Sequence, residues 1–167
     1  MGYFFKLPYT LISTMVNNKL KATWKYLKYI LNHKKFAFIE CYKEGLYWRG
    51  VVHDMSKFIP SEFFPYAYKF NWPKQRSPKK QRQVNEDFSI AWLHHKNHNK
   101  HHWRYWVSDE LKREAIEMPE KCMMEMICDW RAMGRNGGES APDFYKRNKD
   151  QIILHENTRK RLEEILF

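Results

Sequence analysis

The amino-acid sequence predicts an all-α fold built as a single-domain helical bundle. Apolar and aromatic residues recur at the three-, four- and seven-residue spacings of amphipathic helices in several segments. Alternating strand patterns joined by Gly or Asn hairpin turns are not evident. The length of 167 residues favours one domain, and a hydrophobic content of 43% is enough to fill one core. An aromatic content of 17% with only 6 glycines excludes a mainly disordered chain.

The first predicted helix spans about residues 12 to 32. Leu20, Trp24 and Leu31 lie at helical spacing, while lysines occupy other positions and no acid occurs before Glu40. We expect the aromatic face of this helix to pack on the core. A basic amphipathic helix of this kind can instead lie on an anionic membrane surface.

Five later segments complete the predicted order of elements. A second helix covers Phe36 to Asp54, and repeated prolines then break the chain. The acid-free segment from Lys69 to Arg82 is typical of a basic loop. Helical patterning resumes over Asn85 to Trp106, over Asp109 to Met133 as one or two helices around a proline, and over about 146 to 166 as an amphipathic C-terminal helix.

Composition points to an anionic partner and a reducing compartment. There are 30 Lys and Arg against 19 Asp and Glu, which gives a net charge of +11. Polyanions such as nucleotides or nucleic acid are the usual reason for such a charge, although solubility alone can also explain it. The odd count of 3 cysteines, with no signal peptide before them, predicts reduced thiols in a cytoplasmic protein. No apolar stretch approaches the ~20 residues of a membrane span.

Five of the 8 histidines crowd into one short segment, at positions 94, 95, 98, 101 and 102. On a helix, His95, His98 and His102 would share one face, and His94, His98 and His101 a second face. Imidazole is the commonest metal ligand in proteins, so such a face can converge on one or two ions. A solvated surface tract is the alternative, but flanking tryptophans indicate that part of the segment faces a core.

Further metal-ligand residues lie upstream and downstream of the histidine tract. His53 and Asp54 are adjacent, and a carboxylate can bridge two ions through its two oxygens. His33 lies twenty residues earlier on the preceding predicted helix. Asp129 sits within an apolar helical segment, where its burial would be costly without a cation. Arg131 or a later arginine could pair with it instead.

The order His33, His53-Asp54, Asp129 resembles the H…HD…D motif of the HD-domain superfamily of metal-dependent phosphohydrolases, and the likeness covers about residues 20 to 133. It implies an all-helical bundle in which these four residues form a first metal site. Family members with two or three ions place additional histidines between the HD pair and the last Asp. His95 and His102 are our favoured second-site ligands, while the choice within the 94/95 and 101/102 pairs stays open.

The resemblance implies hydrolysis of a phosphate ester, of the phosphatase or phosphodiesterase type. One or two divalent ions (Mn, Fe, Co, Ni or Zn) would activate a water, with Asp54 at the catalytic centre. Lys57 would contact a phosphate oxygen, and a histidine that is not a ligand, His98 or one of His94 and His101, would protonate the leaving oxygen. The basic segment containing Lys79, Lys80 and Arg82 would bind the anionic substrate, a nucleotide or possibly nucleic acid.

Two other functions remain open from the sequence. A diiron oxygenase resembling inositol oxygenase would use four His and two Asp, matching His33, His53, Asp54, His95, His102 and Asp129. A non-catalytic protein could instead bind nucleic acid through lysines, arginines and stacking tryptophans. For that protein, Asp54→Ala would leave binding intact, whereas charge reversal at Lys79, Lys80 and Arg82 would abolish it.

Overall fold

The computed structural model describes residues 9–75 and 77–167, without the side chains of residues 9–12 and 15. In this part of the chain 73% of residues are helical and 3% are in strands, which confirms the predicted all-α class. The helices are α1 (Tyr9–Lys43), α2 (Tyr47–Val52), α3 (Pro60–Asn71), α4 (Pro78–His98), α5 (Glu120–Arg135), α6 (Ala141–Asn148) and α7 (Glu156–Leu166).

Helix α1 continues through the predicted break near residue 33. Its buried positions Ile30, His33, Ala37 and Cys41 keep helical spacing across that point, and no Gly or Pro interrupts them. The helix ends in a Schellman motif, in which Gly45 has a φ of +70° and the Leu46 amide donates to the Cys41 carbonyl at 2.8 Å. The predicted helix from Phe36 to Asp54 is therefore the end of α1 followed by α2.

Two apolar clusters stabilise the bundle. One joins α1, α3 and α4 around Tyr26, Ile30, Tyr66, Ala67 and Ala91. The other joins α5, α6 and α7, and its buried members include Met126, Ile127, Tyr145, Ile152 and Leu162. Because α1 packs against both α3 and α5, it connects the two halves of the bundle.

The predicted basic loop is wrong for most of its length. Lys69 belongs to the last turn of α3, and α4 begins at Pro78. Proline favours the first position of a helix because its φ is already helical and its missing N–H is not needed there. Lys79, Lys80 and Arg82 therefore lie on the exposed first turns of α4.

The predicted helices over Asn85 to Trp106 and over Asp109 to Met133 are also shorter than expected, because α4 ends at His98 and α5 begins at Glu120. Asn99 ends α4, and its side-chain amide donates to the His95 carbonyl at 2.8 Å, in competition with the helix backbone. A 3-10 turn at Trp103–Trp106 and an unpredicted antiparallel hairpin follow, in which β1 (Val107–Asp109) pairs with β2 (Glu114–Ala115).

The predicted C-terminal helix over about 146 to 166 is split into α6 and α7. The connecting segment carries Ile152 and Ile153, which are buried. His155 caps α7, since its Nδ1 accepts a hydrogen bond from the Asn157 amide. Among the described residues, no helix combines the length and apolar character that crossing a membrane requires.

Gly50 lies where α2 packs tightly against α1, and we expect Gly50→Ala to destabilise the fold. A Cβ at this position would lie 2.9 Å from Cys41 Cβ and 3.2 Å from Phe38 Cα. We expect the free energy of unfolding in urea to fall by about 1–3 kcal/mol, the typical cost of overpacking. Val51→Ala at the exposed neighbouring position should change it by less than about 0.5 kcal/mol. Equal stability of Gly50→Ala and the parent protein would contradict this packing.

Candidate metal centre

The four residues of the predicted first metal site converge in the interior. His33 comes from α1, His53 and Asp54 follow α2, and Asp129 comes from α5. Their potential ligand atoms all lie within 4.8 Å of one another. His33 Nε2 is 3.1 Å from Asp129 Oδ1, and His53 Nε2 is 3.5 Å from the same oxygen. This arrangement could hold a metal ion.

A second group shares Asp54 with the first. It contains Asp54, His95, His101 and His102, whose ligand atoms also lie within 4.8 Å of one another. The Nε2 atoms of His95 and His101 are each 3.3 Å from Asp54 Oδ1. The other oxygen, Oδ2, is 3.6 Å from His53 Nε2 in the first group. Asp54 therefore lies between two sets of imidazoles and presents one oxygen to each.

The backbone at the HD pair explains how two consecutive residues both face the interior. Asp54 has a left-handed conformation, with φ 52° and ψ 26°, which is uncommon outside glycine. Lys34 Nζ donates to the carbonyl oxygens of Val51 (2.7 Å) and His53 (2.8 Å), and so satisfies the end of α2. His53 and Asp54 are 1% and 4% exposed. Backbone strain of this kind persists where the surroundings hold it and is frequent at functional sites.

Two buried glutamates orient the histidine rings. Glu125 Oε1 lies 3.1 Å from His53 Nδ1 and 3.4 Å from His101 Nδ1. Glu62 Oε2 lies 3.0 Å from His95 Nδ1. When Nδ1–H donates to a carboxylate, the lone pair is on Nε2, the atom that faces Asp54 in these rings. In this tautomer the Nε2 atoms of the three rings could each bind a metal ion.

Several buried polar atoms of the centre have no hydrogen-bond partner among the described residues. They are Asp54 Oδ1, both ring nitrogens of His33 and the Nε2 atoms of His53, His95, His101 and His102. Buried polar groups without partners cost free energy, and such groups are rare. Divalent cations would supply the missing partner to most of these atoms at once. The residues therefore fit a metal centre.

The pKa values of the cluster follow from burial and from closely spaced opposite charges. Burial alone would raise the pKa of Asp54, but Lys57 and His53 hold this pKa well below its usual range. Burial also opposes the shift in Asp129, whose pKa the neighbouring rings of His33 and His53 hold well below its usual range. Despite burial, nearby carboxylates raise the pKa of His53 to about 10. Burial and the neighbouring His101 hold the pKa of His102 well below its usual range, so its ring is neutral and able to bind a metal.

His95 and His102 meet for a reason other than the predicted one. Helix α4 ends at His98, so the two residues do not share a helix face. The turn after Asn99 folds the chain back, and the two ring centroids lie 4.8 Å apart. The same turn buries His101, which makes the closer approach to Asp54. Sequence reasoning left the 101/102 choice open, and in the structure both rings face the centre.

His98 lies outside the centre. Its ring is exposed, stacks on His94 at a centroid distance of 3.9 Å and donates from Nδ1 to the His94 carbonyl. His94 in turn contacts Glu62 rather than Asp54. The predicted catalytic role of His98 therefore has no geometric support, because an α-helix directs consecutive histidines to different sides.

Lys57 belongs to the centre, but the three predicted substrate-binding residues of α4 do not. Lys57 Nζ donates to Asp54 Oδ2 at 2.6 Å, and its pKa is raised by Asp54 and Asp129 despite burial. Lys79 precedes His95 by sixteen residues on α4, which is about 24 Å along the helix. Lys80 and Arg82 lie on the same distant turns. The structure therefore places these three residues away from the centre, and their role in substrate binding stays a prediction.

A cavity of about 500 Å³ opens beside the centre. Lys57, His102 and Asp129 line its inner wall. Its other walls include the aromatic rings of Trp92, Trp103, Trp130 and Phe144 and the guanidinium groups of Arg104 and Arg147. A ligand in this cavity would contact the metal centre, cationic groups and flat aromatic surfaces together.

The chain matches one known protein family over most of its length. A family model described as "Family of unknown function (DUF5662)" matches residues 22–167. The chain belongs to this family. No curated protein and no solved structure matches it. The matched range of this DUF5662 protein contains every histidine and carboxylate of the metal centre and both glutamates that orient the rings.

The sequence did not identify Glu62 and Glu125 as residues of the site in this DUF5662 protein. It also left open whether His101 or His102 faces the centre. Glu125 precedes Asp129 by four residues on α5, so helical spacing offered a signal that both carboxylates share a face. Glu62 follows Pro60 in the first turn of α3 and had no such signal. Its role depends on the packing of α3 against α4.

We expect Glu62→Gln to weaken metal binding about 10- to 100-fold, the usual effect of losing an outer carboxylate partner of a ligating histidine. Glutamine keeps the size of the side chain but removes the negative charge beside His95 Nδ1. Calorimetric titration of the metal-free protein with Zn²⁺ or Mn²⁺ measures the affinity. Glu156→Gln, at an exposed position in the first turn of α7, is the matched control and should bind as the parent does. Identical affinities for the two variants would contradict the orienting role.

Proposed function

We propose that this protein is a metal-dependent phosphohydrolase that holds two divalent cations around Asp54. The observation that carries the proposal is the position of this one carboxylate between two sets of imidazoles whose Nε2 atoms have no hydrogen-bond partner among the described residues. Two-cation centres with a shared carboxylate suit hydrolysis of phosphate esters, since they act on both the attacking and the leaving oxygen.

The ligand chemistry limits the identity of the cations. One site would use His33, His53, Asp54 and Asp129, and the other would use Asp54, His95, His101 and His102. Imidazole and carboxylate ligands suit Mn, Fe, Co, Ni and Zn. When bound, such cations lower the pKa of a coordinated water and neutralise phosphate oxygens.

The side chains of this protein supply the remaining functions. Lys57 lines the cavity and already donates to Asp54, so a phosphate oxygen nearby would meet a fixed positive charge. Arg104 also lines the cavity, as does Arg147, which is paired there with Glu139. Asp129 and Lys57 face the same space, so the substrate phosphate would bind between the metal ligands and these cations. His98 has no part in the proposal.

The cavity favours a phosphate ester that carries a flat aromatic group. Trp92, Trp103 and Trp130 offer ring faces or edges within the same 500 Å³. A nucleobase would stack on such rings while its phosphate reached the centre. We therefore propose a nucleotide as the substrate class.

A cytoplasmic location belongs to the same proposal. Cys41, Cys122 and Cys128 are all free thiols and buried, which suits a reducing compartment. This location stays a prediction.

The test is a panel of phosphate monoesters and diesters, including nucleotides, assayed with the metal-loaded protein and with Lys57→Met. We expect hydrolysis by the parent and a loss of about 100-fold in kcat/KM for Lys57→Met, because a preorganised cation beside the reacting phosphate is removed. Metal content should stay unchanged in the variant. Lys112→Met, on the exposed hairpin, is the matched control and should retain full activity.

His98→Ala provides an independent comparison in the same assay. We expect its activity to stay within about twofold of the parent, because the ring lies outside the cavity. A loss equal to that of Lys57→Met would contradict the assigned geometry. Two irons per chain with oxygen consumption and no phosphate release would contradict phosphohydrolysis and favour a diiron oxygenase.

A further inference from the structure

Helix α1 has two apolar sides whose directions differ by about 120° around the helix axis, and only one of them packs on the core. The buried side carries Ala22, Tyr26, Ile30 and Ala37. The second side carries Val16, Leu20, Trp24, Leu31, Phe38 and Tyr42, all exposed and separated by four or seven residues. Leu20 is 62% exposed and Trp24 is 59% exposed. These side chains therefore belong to the surface and not to the edge of the core.

Helix α2 extends this apolar side into a larger surface. The rings of Phe38 and Tyr42 are 6.1 Å apart, and those of Tyr42 and Tyr47 are 4.9 Å apart, which links the two helices. Trp48 on α2 is 73% exposed. We call the combined surface the outer face. Its members are Val16, Leu20, Trp24, Leu31, Phe38 and Tyr42 of α1 and Tyr47, Trp48, Val51 and Val52 of α2.

A row of lysines borders the outer face. Lys21, Lys25, Lys28 and Lys35 are exposed beside the apolar residues, and Lys28 Nζ lies 5.2 Å from the centre of the Trp24 ring. Residues 1 to 39 contain no Asp or Glu. The first acid of α1, Glu40, is buried and paired with Lys43 and Arg135. The charge along the outer face is therefore positive throughout.

We propose that the outer face binds the surface of an anionic lipid bilayer, with α1 lying parallel to the membrane plane. A helix of 35 residues is about 52 Å long, and its outer face combines an apolar stripe, tryptophans and tyrosines, and flanking lysines. This combination is typical of helices that insert their apolar side at the boundary between headgroups and acyl chains. Tryptophan and tyrosine favour that boundary.

The same features disfavour other occupants of the outer face. A second copy of the chain would bring two lysine rows together, and the one acid among the described residues of α1, Glu40, is buried and already paired. Like charges in contact are destabilising. A protein partner would need an acidic groove matching about 39 Å of helix, the length from Val16 to Tyr42. A lipid surface adapts its shape and supplies negative charge along the whole length.

The outer face is also separate from the metal centre. His33 faces the centre, whereas Leu31 lies two residues away, which is about 200° around the helix. Membrane binding therefore does not depend on metal or on hydrolysis, and the two proposals fail independently.

Flotation of the full chain with two kinds of vesicle tests the proposal. We expect binding to vesicles of phosphatidylcholine mixed with phosphatidylglycerol and little binding to phosphatidylcholine alone. A variant with Lys21, Lys25 and Lys28 changed to Gln should show about a 100-fold lower partition coefficient. Leu20→Glu combined with Trp24→Glu should lower it more than about tenfold in the presence of all the lysines.

Matched variants separate this face from unspecific effects of charge or polarity. Lys79, Lys80 and Arg82 changed to Gln remove the same charge from exposed turns of α4, and Leu111→Glu changes a side chain that is 97% exposed on the hairpin. Both controls should bind vesicles nearly as the parent does. Circular dichroism and metal content, measured on every variant, exclude misfolding.

Three results would overturn the proposal. The first is equal binding of the parent to both kinds of vesicle, or to neither. The second is a loss of binding in the α4 variant as large as in the α1 lysine variant. The third is a concentration-dependent dimer, seen by analytical ultracentrifugation, that Leu20→Glu with Trp24→Glu abolishes, because it would identify a second copy of the chain as the occupant.

Discussion

Asp54→Ala is expected to remove both cations from the protein and to abolish hydrolysis. Asp54 is the one residue common to the two ligand groups, with Oδ1 near His95 and Oδ2 near His53. Removing it takes a ligand from each site and also removes the carboxylate that Lys57 contacts. Elemental analysis of the purified protein should find one to two equivalents of metal in the parent and less than about a tenth of that in the variant.

Two further variants are measured beside Asp54→Ala. One keeps the shape of the Asp54 side chain, and the other leaves the candidate metal centre unchanged. Asp54→Asn retains the side-chain volume but lacks the charge, so it should also lose metal while its circular dichroism stays helical. Asp87→Ala, on the exposed side of α4, is the matched control and should keep its full metal content. Metal content in Asp54→Asn equal to that of the parent would contradict the shared-ligand arrangement.

Removing the cations with a chelator is expected to lower Tm by about 10 °C. The centre contains several buried imidazoles and two carboxylates. Among the described residues, the Nε2 atoms of these imidazoles and Asp54 Oδ1 have no hydrogen-bond partner, which costs free energy when no metal is bound. A ligand present at a thousand times its Kd stabilises the folded state by about 4 kcal/mol, and each kcal/mol shifts Tm by about 2–4 °C in a chain of this size. Differential scanning calorimetry with and without chelator measures the shift, and added Zn²⁺ or Mn²⁺ should reverse it.

Asp54→Ala provides the internal control for that measurement. Because this variant should hold no metal, chelator should leave its Tm unchanged. A chelator-induced decrease in Asp54→Ala as large as in the parent would place the stabilising cation somewhere else in the molecule. An unchanged Tm in the parent, with metal shown to be removed, would contradict the link between metal and stability.

The helical class was predictable, but the lengths of the helices were not. Apolar spacing identified the segments that became α1, α4 and α5, because a helix must bury one side in any arrangement of the bundle. The ends depend on local competition. Asn99 terminates α4 through its own side chain, and the buried pair Ile152 and Ile153 fills a connection that hydrophobic spacing had assigned to a helix.

The candidate site was predictable to a similar degree. The order His33, His53-Asp54 and Asp129 is visible along the chain, and the structure brings these four residues together. The histidine tract indicated a second group, yet the helix face drawn for His95 and His102 does not exist. A turn, which periodicity does not predict, brings both His101 and His102 toward Asp54.

By itself the sequence determined the helical class and the chemical groups that are available. These groups are five clustered histidines, the adjacent His53 and Asp54, and Asp129 within an apolar segment. Only the tertiary structure decided that Asp54 stands between two sets of imidazoles, that Glu62 and Glu125 orient them, and that Lys79 lies far from the centre. The physical reason is the separation along the chain between the residues that determine each feature. Helical periodicity depends on neighbours within a few residues, whereas a metal centre depends on distances of a few ångströms between residues that are 20 to 100 positions apart, which the packing of α1, α4 and α5 sets.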